Sequence, residues 1–397
     1  ADASRFGGEK IMKKVQITPE IERVSEMFSE AGYRLYVVGQ YVRNALLALE
    51  STEIHIASEA EVSDAARILK DGGVRLLSAE DAGKAAFFEA ESSDILYIYT
   101  NLAEGGIGAD AADRDFTVNA LYLDAETGEI YDPTGYGLED IEERKLRACS
   151  ADIHHAIERD VNMLMRMSRL EAELGFEAEE ELFQAVKERA YMLRQASKEK
   201  LSNELVKILL SDVKYGRADA VERGLFSMLK TGALFVLFPP FVDAQCIGYG
   251  MHHKYSVMTH SIKTCAAAPP DLILRFAGLL HDIGKPAAMA RDGHMKAHGV
   301  LGEAISEELL REMAMPEDFV KKVSKLVGGH MFNIDNSMTD EQLKLGIQRY
   351  GVETTRRISA LRRADLAGAG MGDPTDSADS IDRVLEYMLN EHECTDC

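Results

Sequence analysis

The sequence predicts an α+β N-terminal head followed by an all-α remainder. Three observations carry this. Strand-like runs occur only before residue 149, apolar residues recur at helical spacing from Asp152 almost to the end, and Pro239-Pro240 and Pro269-Pro270 punctuate that helical part. At 397 residues the chain is long enough for two or three domains with real cores. The pattern divides it into a leader at 1–16, a head at 17–148, a helical neck and body at 149–240, and a C-terminal helical domain at 245–397.

Within the head, Ile21 to Phe28 has helical apolar spacing and Leu35 to Val38 is a short buried strand. Gly39 turns the chain into a helix from Val42 to Leu49. Strand-like pieces follow at Ile54–Ala57, Val74–Leu77, Ala85–Phe88 and Ile95–Tyr99. Leu121-Tyr122-Leu123, the turn Glu126-Thr127-Gly128, and Ile130-Tyr131 read as a hairpin.

Composition excludes several classes. No apolar run approaches the roughly 18 residues of a membrane helix, and Ala1 to Lys14 lacks a signal-peptide core, with Met12 fitting a natural start. Five scattered cysteines fit a reducing cytoplasm better than a disulfide framework, and Cys394-x-x-Cys397 reads as a solvated tail. A net charge of −22 argues against nonspecific coating of nucleic acid, while leaving room for a local basic groove. Basic residues gather at Arg166, Arg169, Lys187, Arg189, Arg194, Lys198 and Lys200, and again at Arg356, Arg357, Arg362 and Arg363.

The chemistry is concentrated in Leu279-Leu280-His281-Asp282-Ile283-Gly284-Lys285-Pro286. An apolar helix delivers adjacent His and Asp, then breaks at Gly284 and Pro286. An unpaired carboxylate in such a helix is costly, and imidazole with carboxylate suits a divalent metal. Further candidate ligands sit at scattered positions, His260 upstream and His298, His330 and Asp365 downstream. Such a set leaves an ion enough charge to activate water near neutral pH, and a second ion roughly 3.5–4 Å away would hold attacking and leaving oxygens. Donors of borderline softness favour a transition ion such as Mn, Ni, Co or Fe. Lys285, within one turn, can neutralise a phosphoryl oxygen, so Lys285 and Asp282 are the catalytic candidates. Arg356, Arg357 and Arg363 lie at helical spacings before Asp365 and are candidates for gripping phosphate, the alternative being a solvated helix face.

The order His, His-Asp, His, His, Asp on successive helical segments resembles the HD phosphohydrolase superfamily, which implies an all-α HD domain, a basic ligand set of His260, His281, Asp282 and Asp365 with His298 and His330 for a second ion, and metal-dependent phosphoester hydrolysis. A second resemblance covers the head. Tyr36-Val37-Val38-Gly39-Gln40-Tyr41-Val42-Arg43-Asn44-Ala45-Leu46-Leu47 looks like the Gly-Gly-x-Val-Arg-Asp-x-Leu-Leu opening of tRNA nucleotidyltransferases and bacterial poly(A) polymerases. Arg114-Asp115-Phe116-Thr117-Val118-Asn119-Ala120-Leu121 matches their Arg-Asp-Phe-Thr-x-Asn-Ala-Leu signature. Asp132-Pro133 through Gly137-Leu138-Glu139-Asp140-Ile141 matches the segment after it, and Arg166 to Phe176 resembles the neck helix that selects the nucleotide. In relatives, HD modules fused to this head are associated with phosphatase and 2′,3′-cyclic phosphodiesterase action.

The head departs from the family pattern at its chemistry. The carboxylate pair Asp-x-Asp reads Glu53-Ile54-His55, and His is a poor ligand for Mg²⁺. A third carboxylate would come from near Asp94, without a convincing match. Gln40 replaces the second glycine of the phosphate-approaching turn. Arg-Asp has become Arg43-Asn44. The neck motif Glu-Asp-x-x-Arg reads Arg159-Asp160-Val161-Asn162-Met163, and a methionine cannot donate to a base edge. The segment between Tyr99 and Asp113 is shorter than in the family, and Cys397 falls where longer members continue.

These features give one main reading and two alternatives. The main reading is a family member with hydrolysis of nucleotide or RNA-end phosphates in the HD domain and a head inactive in transfer. In it, Gly39, Arg43, Glu53, Arg114, Asp160, Arg166 and Arg169 are left as a surface for tRNA-like RNA or a nucleotide. The first alternative is an active RNA 3′-end nucleotidyltransferase with an atypical metal site, Mg²⁺ being the ion there. The second is a non-catalytic RNA- or nucleotide-binding regulator.

Overall fold

The structure, a computed structural model, describes residues 15, 17–51, 53–80, 87–92, 95–102, 104–245, 247, 255–370 and 376–395. The leader apart from Val15, Asp94, the residues around Tyr249, and the side chains of the Cys394/Cys397 pair lie outside this description. The chain forms two compact units. The first runs to Asp160 and takes in Phe176–Ala185; the second comprises Val161–Gly175 and everything from Val186.

The first unit is a mixed α+β fold. Helix α1 (Pro19–Glu30) buries Ile21, Val24, Ser25 and Phe28, a single stripe at helical spacing. There follow β1 (Leu35–Val38), α2 (Gln40–Leu46), β2 (Glu53–Ser58), α3 (Val62–Asp71), β3 (Arg75–Glu80), β4 (Phe87–Ser92), β5 (Ile95–Asn101), α4 (Gly106–Asp113), β6 (Tyr122–Asp124), β7 (Ile130–Tyr131), α5 (Gly137–Glu143), β8 (Lys145–Leu146) and α6 (Ile153–Arg159). Seven strands form one sheet in the order β3-β4-β5-β2-β1-β6-β7. Within this sheet, among the described residues, β2 and β5 pair in parallel and the other neighbours antiparallel.

Alternation along β2 sends Ile54 and Ile56 into the core and leaves Glu53 and His55 together on the other face. The β6–β7 hairpin is held by Asp124, whose Oδ1 accepts from the N–H groups of Glu126 (3.0 Å) and Thr127 (2.8 Å). Gly128 closes it at φ +72°, a conformation that suits glycine.

Helices then dominate: α7 (Met163–Leu174), the two-residue strand β9 (Glu177–Ala178), α8 (Glu180–Arg189), α9 (Lys198–Leu209), α10 (Ser211–Tyr215), α11 (Ala220–Thr231), α12 (Ala233–Leu237) and α13 (Phe241–Ala244). The last part is α14 (Val257–Ala267), α15 (Leu272–Leu280), α16 (Lys285–Asp292), α17 (His298–Glu312), α18 (Glu317–Gly329), α19 (Asp340–Tyr350), α20 (Val352–Ala369) and α21 (Asp376–Thr395). Strand β9 departs from the all-helical expectation after Asp152. It pairs with β8 through Lys145↔Glu177 and Leu146↔Ala178, and two residues are too few to show a period in sequence.

In the second unit a buried Arg275 ties α15 to α10. It donates to Asp212 Oδ2 at 2.6 Å and to the Leu209 and Ala268 carbonyls at 2.7 and 3.2 Å. Those partners let a guanidinium sit at 1% exposure under the helices that carry the site below.

Candidate metal centre

Five helical segments supply the six His and Asp residues singled out in the C-terminal part. Ser256 caps α14, accepting from Thr259 N–H at 3.3 Å, and α14 carries His260. Asp271 caps α15, accepting from Ile273 and Leu274 N–H at 2.8 and 3.2 Å, and α15 ends at His281-Asp282. His298 opens α17, His330 closes α18, and Asp365 lies in α20.

Glycines bring these helices to backbone contact. A Cβ on Gly278 of α15 would lie 3.0 Å from Cys265 Cα, and one on Gly368 of α20 would lie 2.8 Å from Thr264 Cα. Helix α14 is thus pressed between two neighbours one turn after His260. A Cβ on Gly284 would collide with His298 O, which seats the His281-Asp282 turn against the start of α17.

The six side chains converge in two trios. In the first, His260 Nε2 is 3.1 Å from His281 Nε2 and 2.8 Å from Asp365 Oδ1, and His281 Nε2 is 3.6 Å from that oxygen. In the second, His298 Nε2 is 2.9 Å from His330 Nε2 and 3.3 Å from Asp282 Oδ1. Asp282 faces both, because its Oδ2 lies 3.3 Å from His281 Nε2. All but Asp365 are buried.

The protonation pattern fits a cation. Carbonyl oxygens only accept, so Nδ1 of His281, His298 and His330 must donate to Gly278 O (2.8 Å), Met295 O (2.6 Å) and Val327 O (2.6 Å). Where the ring is neutral, Nε2 is then a bare lone pair aimed inward, the usual posture of a metal-binding imidazole; burial opposes a charge on His281, but the Asp282 and Asp365 carboxylates push it up, favouring a proton there that a metal would displace. Burial, and then the charge of His281, push His330 down to about 4, so it is neutral at pH 7. Two lone pairs 2.9 Å apart repel unless a cation lies between them. Two nitrogens on one ion at about 2.0–2.1 Å and a right angle would be roughly 3 Å apart, so the donor set fits.

Burial opposes ionisation of Asp282, but His281, His298 and Lys285 hold its carboxyl well below the ordinary range. Asp365 is likewise held low against burial, by its bond to His260 and by the charge of His281. Lys285 Nζ donates to Asp282 Oδ2 at 2.6 Å, so the ammonium is anchored at the cluster.

The arginines are arranged differently from the sequence expectation. Arg357 is held by Asp271 at 3.1 Å and by Glu353, and Arg363 by Asp379 at 2.6 Å and Asp382 at 2.8 Å. Arg356 is exposed. At 3.6 residues per turn, Arg356 and Arg363 fall roughly opposite Asp365 on α20, so the three do not converge on the cluster. The arginine that does is Arg362, whose Nη1 donates to Asp365 Oδ2 at 2.7 Å. Its signal in the sequence is the i, i+3 spacing to Asp365.

In the first unit, Gly39 sits at φ +77° at the start of α2, a turn that favours glycine. Arg43 is buried and donates to Asn119 Oδ1 at 2.6 Å and to Asn44 Oδ1 at 2.9 and 3.1 Å. Asn44 in turn donates to Ser51 Oγ and Glu50 O. Arg114 Nε donates to Asp110 Oδ2 at 2.8 Å and Tyr122 OH at 3.0 Å. Glu53 Oε1 is 3.3 Å from His55 Nε2, and β5 beside them (ILYIYTN) contributes no acid. Among the described residues the head holds no trio of metal ligands. Asp160 ends the first unit, and Arg159 just before it pairs with Asp113. In the second unit Arg169 is bound by Glu204 at 2.6 Å and Glu173 at 2.8 Å, Arg166 is partly buried, and Met163 is a core residue.

Comparison with known proteins joins these two regions. Residues 98–147 match the poly A polymerase head domain and residues 251–367 match the HD domain. The A-adding tRNA nucleotidyltransferase of Deinococcus radiodurans is 31% identical over 240 residues, covering 57% of this chain and 52% of that protein. The CCA-adding enzyme of Streptococcus pyogenes is 26% identical over 400 residues, covering 96% of this chain and 87% of that protein. The chain belongs to the tRNA nucleotidyltransferase and poly(A) polymerase family, with an HD domain.

The fold agrees. The Bacillus stearothermophilus CCA-adding enzyme, solved in complex with CTP, superposes with a TM-score of 0.66 at 22% identity, covering 94% of this chain and 83% of that one. The chain spans about half the length of the first curated relatives it matches, 52% and 59%. Among nucleotidyltransferase-family positions, the signature residues Arg43, Arg114 and Asn119 are engaged in the head's own hydrogen bonds. Where the family places its Mg²⁺ carboxylates, the Glu53–His55 pair does not fit an ion that demands oxygen ligands.

Proposed function

We propose that this family member hydrolyses phosphoesters at its HD domain, on nucleotide or RNA-end phosphates, and that its head is silent in nucleotidyl transfer. One observation carries the reading: two trios of His and Asp lie side by side, Asp282 of one reaching His281 of the other at 3.3 Å, with the Nδ1 groups of three imidazoles committed to backbone carbonyls. His260, His281 and Asp365 would hold one ion and His298, His330 and Asp282 the other, all within an HD module at 245–397 that follows a helical body at 149–240. When bound, a divalent transition pair such as Mn, Ni, Co or Fe supplies Lewis acidity and charge neutralisation to a phosphoryl centre.

The chain's own residues do the rest. Asp282 and Asp365 contribute two buried negative charges that set the affinity for a dication. Lys285, anchored on Asp282, places a positive charge where a substrate phosphate would arrive. Arg362 does the same beside Asp365. The relevant assay is release of phosphate or ring opening from 2′-, 3′- and 2′,3′-cyclic nucleotides with Mn²⁺, Ni²⁺ or Co²⁺, compared with Asp282→Ala.

A second reading is favoured by the relatives. Their names are A-adding and CCA-adding enzymes, and similarity to the Streptococcus pyogenes protein runs over 96% of this chain. In this reading the head adds nucleotides to tRNA 3′ ends with Glu53 as an atypical ligand. Incubating the chain with tRNA lacking its CCA end, CTP, ATP and Mg²⁺ separates the two. In both readings the partners are RNA or nucleotides, and the cytoplasm is their place. No helix among the described residues is long and apolar enough to cross a membrane.

A further inference from the structure

Directly after His330, the chain builds a second concavity that the chemistry above does not use. The segment Met331–Thr339 is tied on one side to α20, where Ile334 O accepts from Arg362 Nη2 at 3.4 Å. Its other side, with α19, lines an open basin of about 440 Å³. The floor is apolar and aromatic: Met331, Phe332, Met338, Leu345 and Tyr350. The Phe332 and Tyr350 rings lie 5.5 Å apart at 61°. Gly346 sets the floor, since a Cβ there would collide with the Phe332 ring and displace it.

Polar groups at the rim are unengaged. Among the described residues the Arg349 guanidinium makes no ion pair or hydrogen bond to the protein, and neither does the Tyr350 hydroxyl. Arg311, Arg357, Arg362, Arg363 and Arg383 of the same helical part are tied to carboxylates, whereas Arg349, at the edge of the basin, is not. Leu345 is 67% exposed and Met338 37%, which is apolar surface left in water.

We infer that this basin is a nucleobase site, which seats the base of a nucleotide. The chemistry matches on three counts. A base is flat and apolar on its faces, so it stacks against aromatic rings without regard to sequence. Thioethers such as Met331 and Met338 give polarizable contacts to aromatic rings. A base also has ring-nitrogen and carbonyl acceptors at its edge, which a guanidinium and a hydroxyl can meet. An aliphatic ligand would leave Arg349 and the Tyr350 hydroxyl unanswered. Base binding itself requires no turnover.

The test uses adenosine, which has a base and no phosphate, and the full chain labelled with ¹³C at the methionine methyls. Met331→Leu and Met338→Leu assign the two resonances. Adenosine should shift both saturably, with a dissociation constant on the order of 1 mM, while ribose leaves them in place. Arg349→Gln should weaken binding roughly tenfold, and Leu345→Glu, at an exposed position that tolerates charge, should abolish it. If hydrolysis fails but adenosine still shifts these methyls, the site stands without the hydrolase. The inference is overturned if the two methyls stay unmoved at about 20 mM adenosine, if ribose moves them equally, or if both variants bind as the parent does.

Discussion

His298 and His330 face each other Nε2 to Nε2 across 2.9 Å, while each commits its Nδ1 proton to a carbonyl three residues back. Two bare lone pairs at that distance need a positive charge between them, which a bound cation supplies. The chain should therefore take up about two transition ions. Asp282 touches both trios, so Asp282→Ala should cost both ions, whereas His330→Ala should cost one. Elemental analysis of the dialysed variants reads this. Retention of both ions in Asp282→Ala would rule out a shared carboxylate.

Backbone contact between α14 and α20 sets where His260 meets Asp365. Gly368→Ala would push a methyl into the Thr264 backbone, an overpacking that costs about 1–3 kcal/mol and moves the two ligands apart. A lower Tm and weaker metal uptake should appear together. Gly108→Ala, with open space around it on α4, should be neutral or stabilising by up to about 1 kcal/mol. An unchanged Tm and metal content in Gly368→Ala would show that the helices are free to adjust.

The head should show an acid-dependent stability traceable to Asp124. Burial opposes its ionisation, but the Thr127 N–H, the Arg34 side chain and the Glu126 N–H outweigh it and hold the carboxyl below its ordinary 3.8. The unfolded chain then binds more protons than the folded one as pH falls through that range. The stabilisation is fully present above the ordinary value and is lost as pH drops through the lowered one. Asp124→Asn should destabilise the head by about 1–3 kcal/mol at pH 7, with the gap to the parent narrowing as pH falls below the ordinary value of 3.8. Chemical denaturation on either side of that value measures it, and an equal gap on both sides would assign the loss to packing.

Transfer by the head should be negligible with tRNA lacking CCA, CTP, ATP and Mg²⁺, and Glu53→Asp with His55→Asp should not restore it alone. Asn44 and Met163 have become part of the packed structure, so two carboxylates do not rebuild the rest. Efficient addition of C, C and A by the unmodified chain would install the transferase reading.

Much of this was legible before any coordinates, for reasons that differ by residue. The stripe Ile21, Val24, Phe28 announces a helix because burial needs one face. The Glu126-Thr127-Gly128 turn announces a hairpin because few residues accept its backbone. His281-Asp282 announces a site because a charge at the end of an apolar helix needs a partner. Strand β9 was hidden by its length. Arg362 was hidden among four arginines, since which one reaches Asp365 depends on the phase of α20 and on acids from α15 and α21 that draw Arg357 and Arg363 away. The roles of Gly278 and Gly368 are set by partners on other helices, which no local pattern reveals.

The most direct test of the central claim is steady-state hydrolysis of 2′,3′-cyclic AMP by the purified full chain loaded with Mn²⁺ or Ni²⁺, beside Asp282→Ala. Metal-dependent ring opening is expected, abolished by EDTA and reduced by at least about a hundredfold in Asp282→Ala. Metal-loaded protein that leaves this ester and the 2′- and 3′-nucleotides intact, or an Asp282→Ala variant that turns over as fast as the parent, would contradict it.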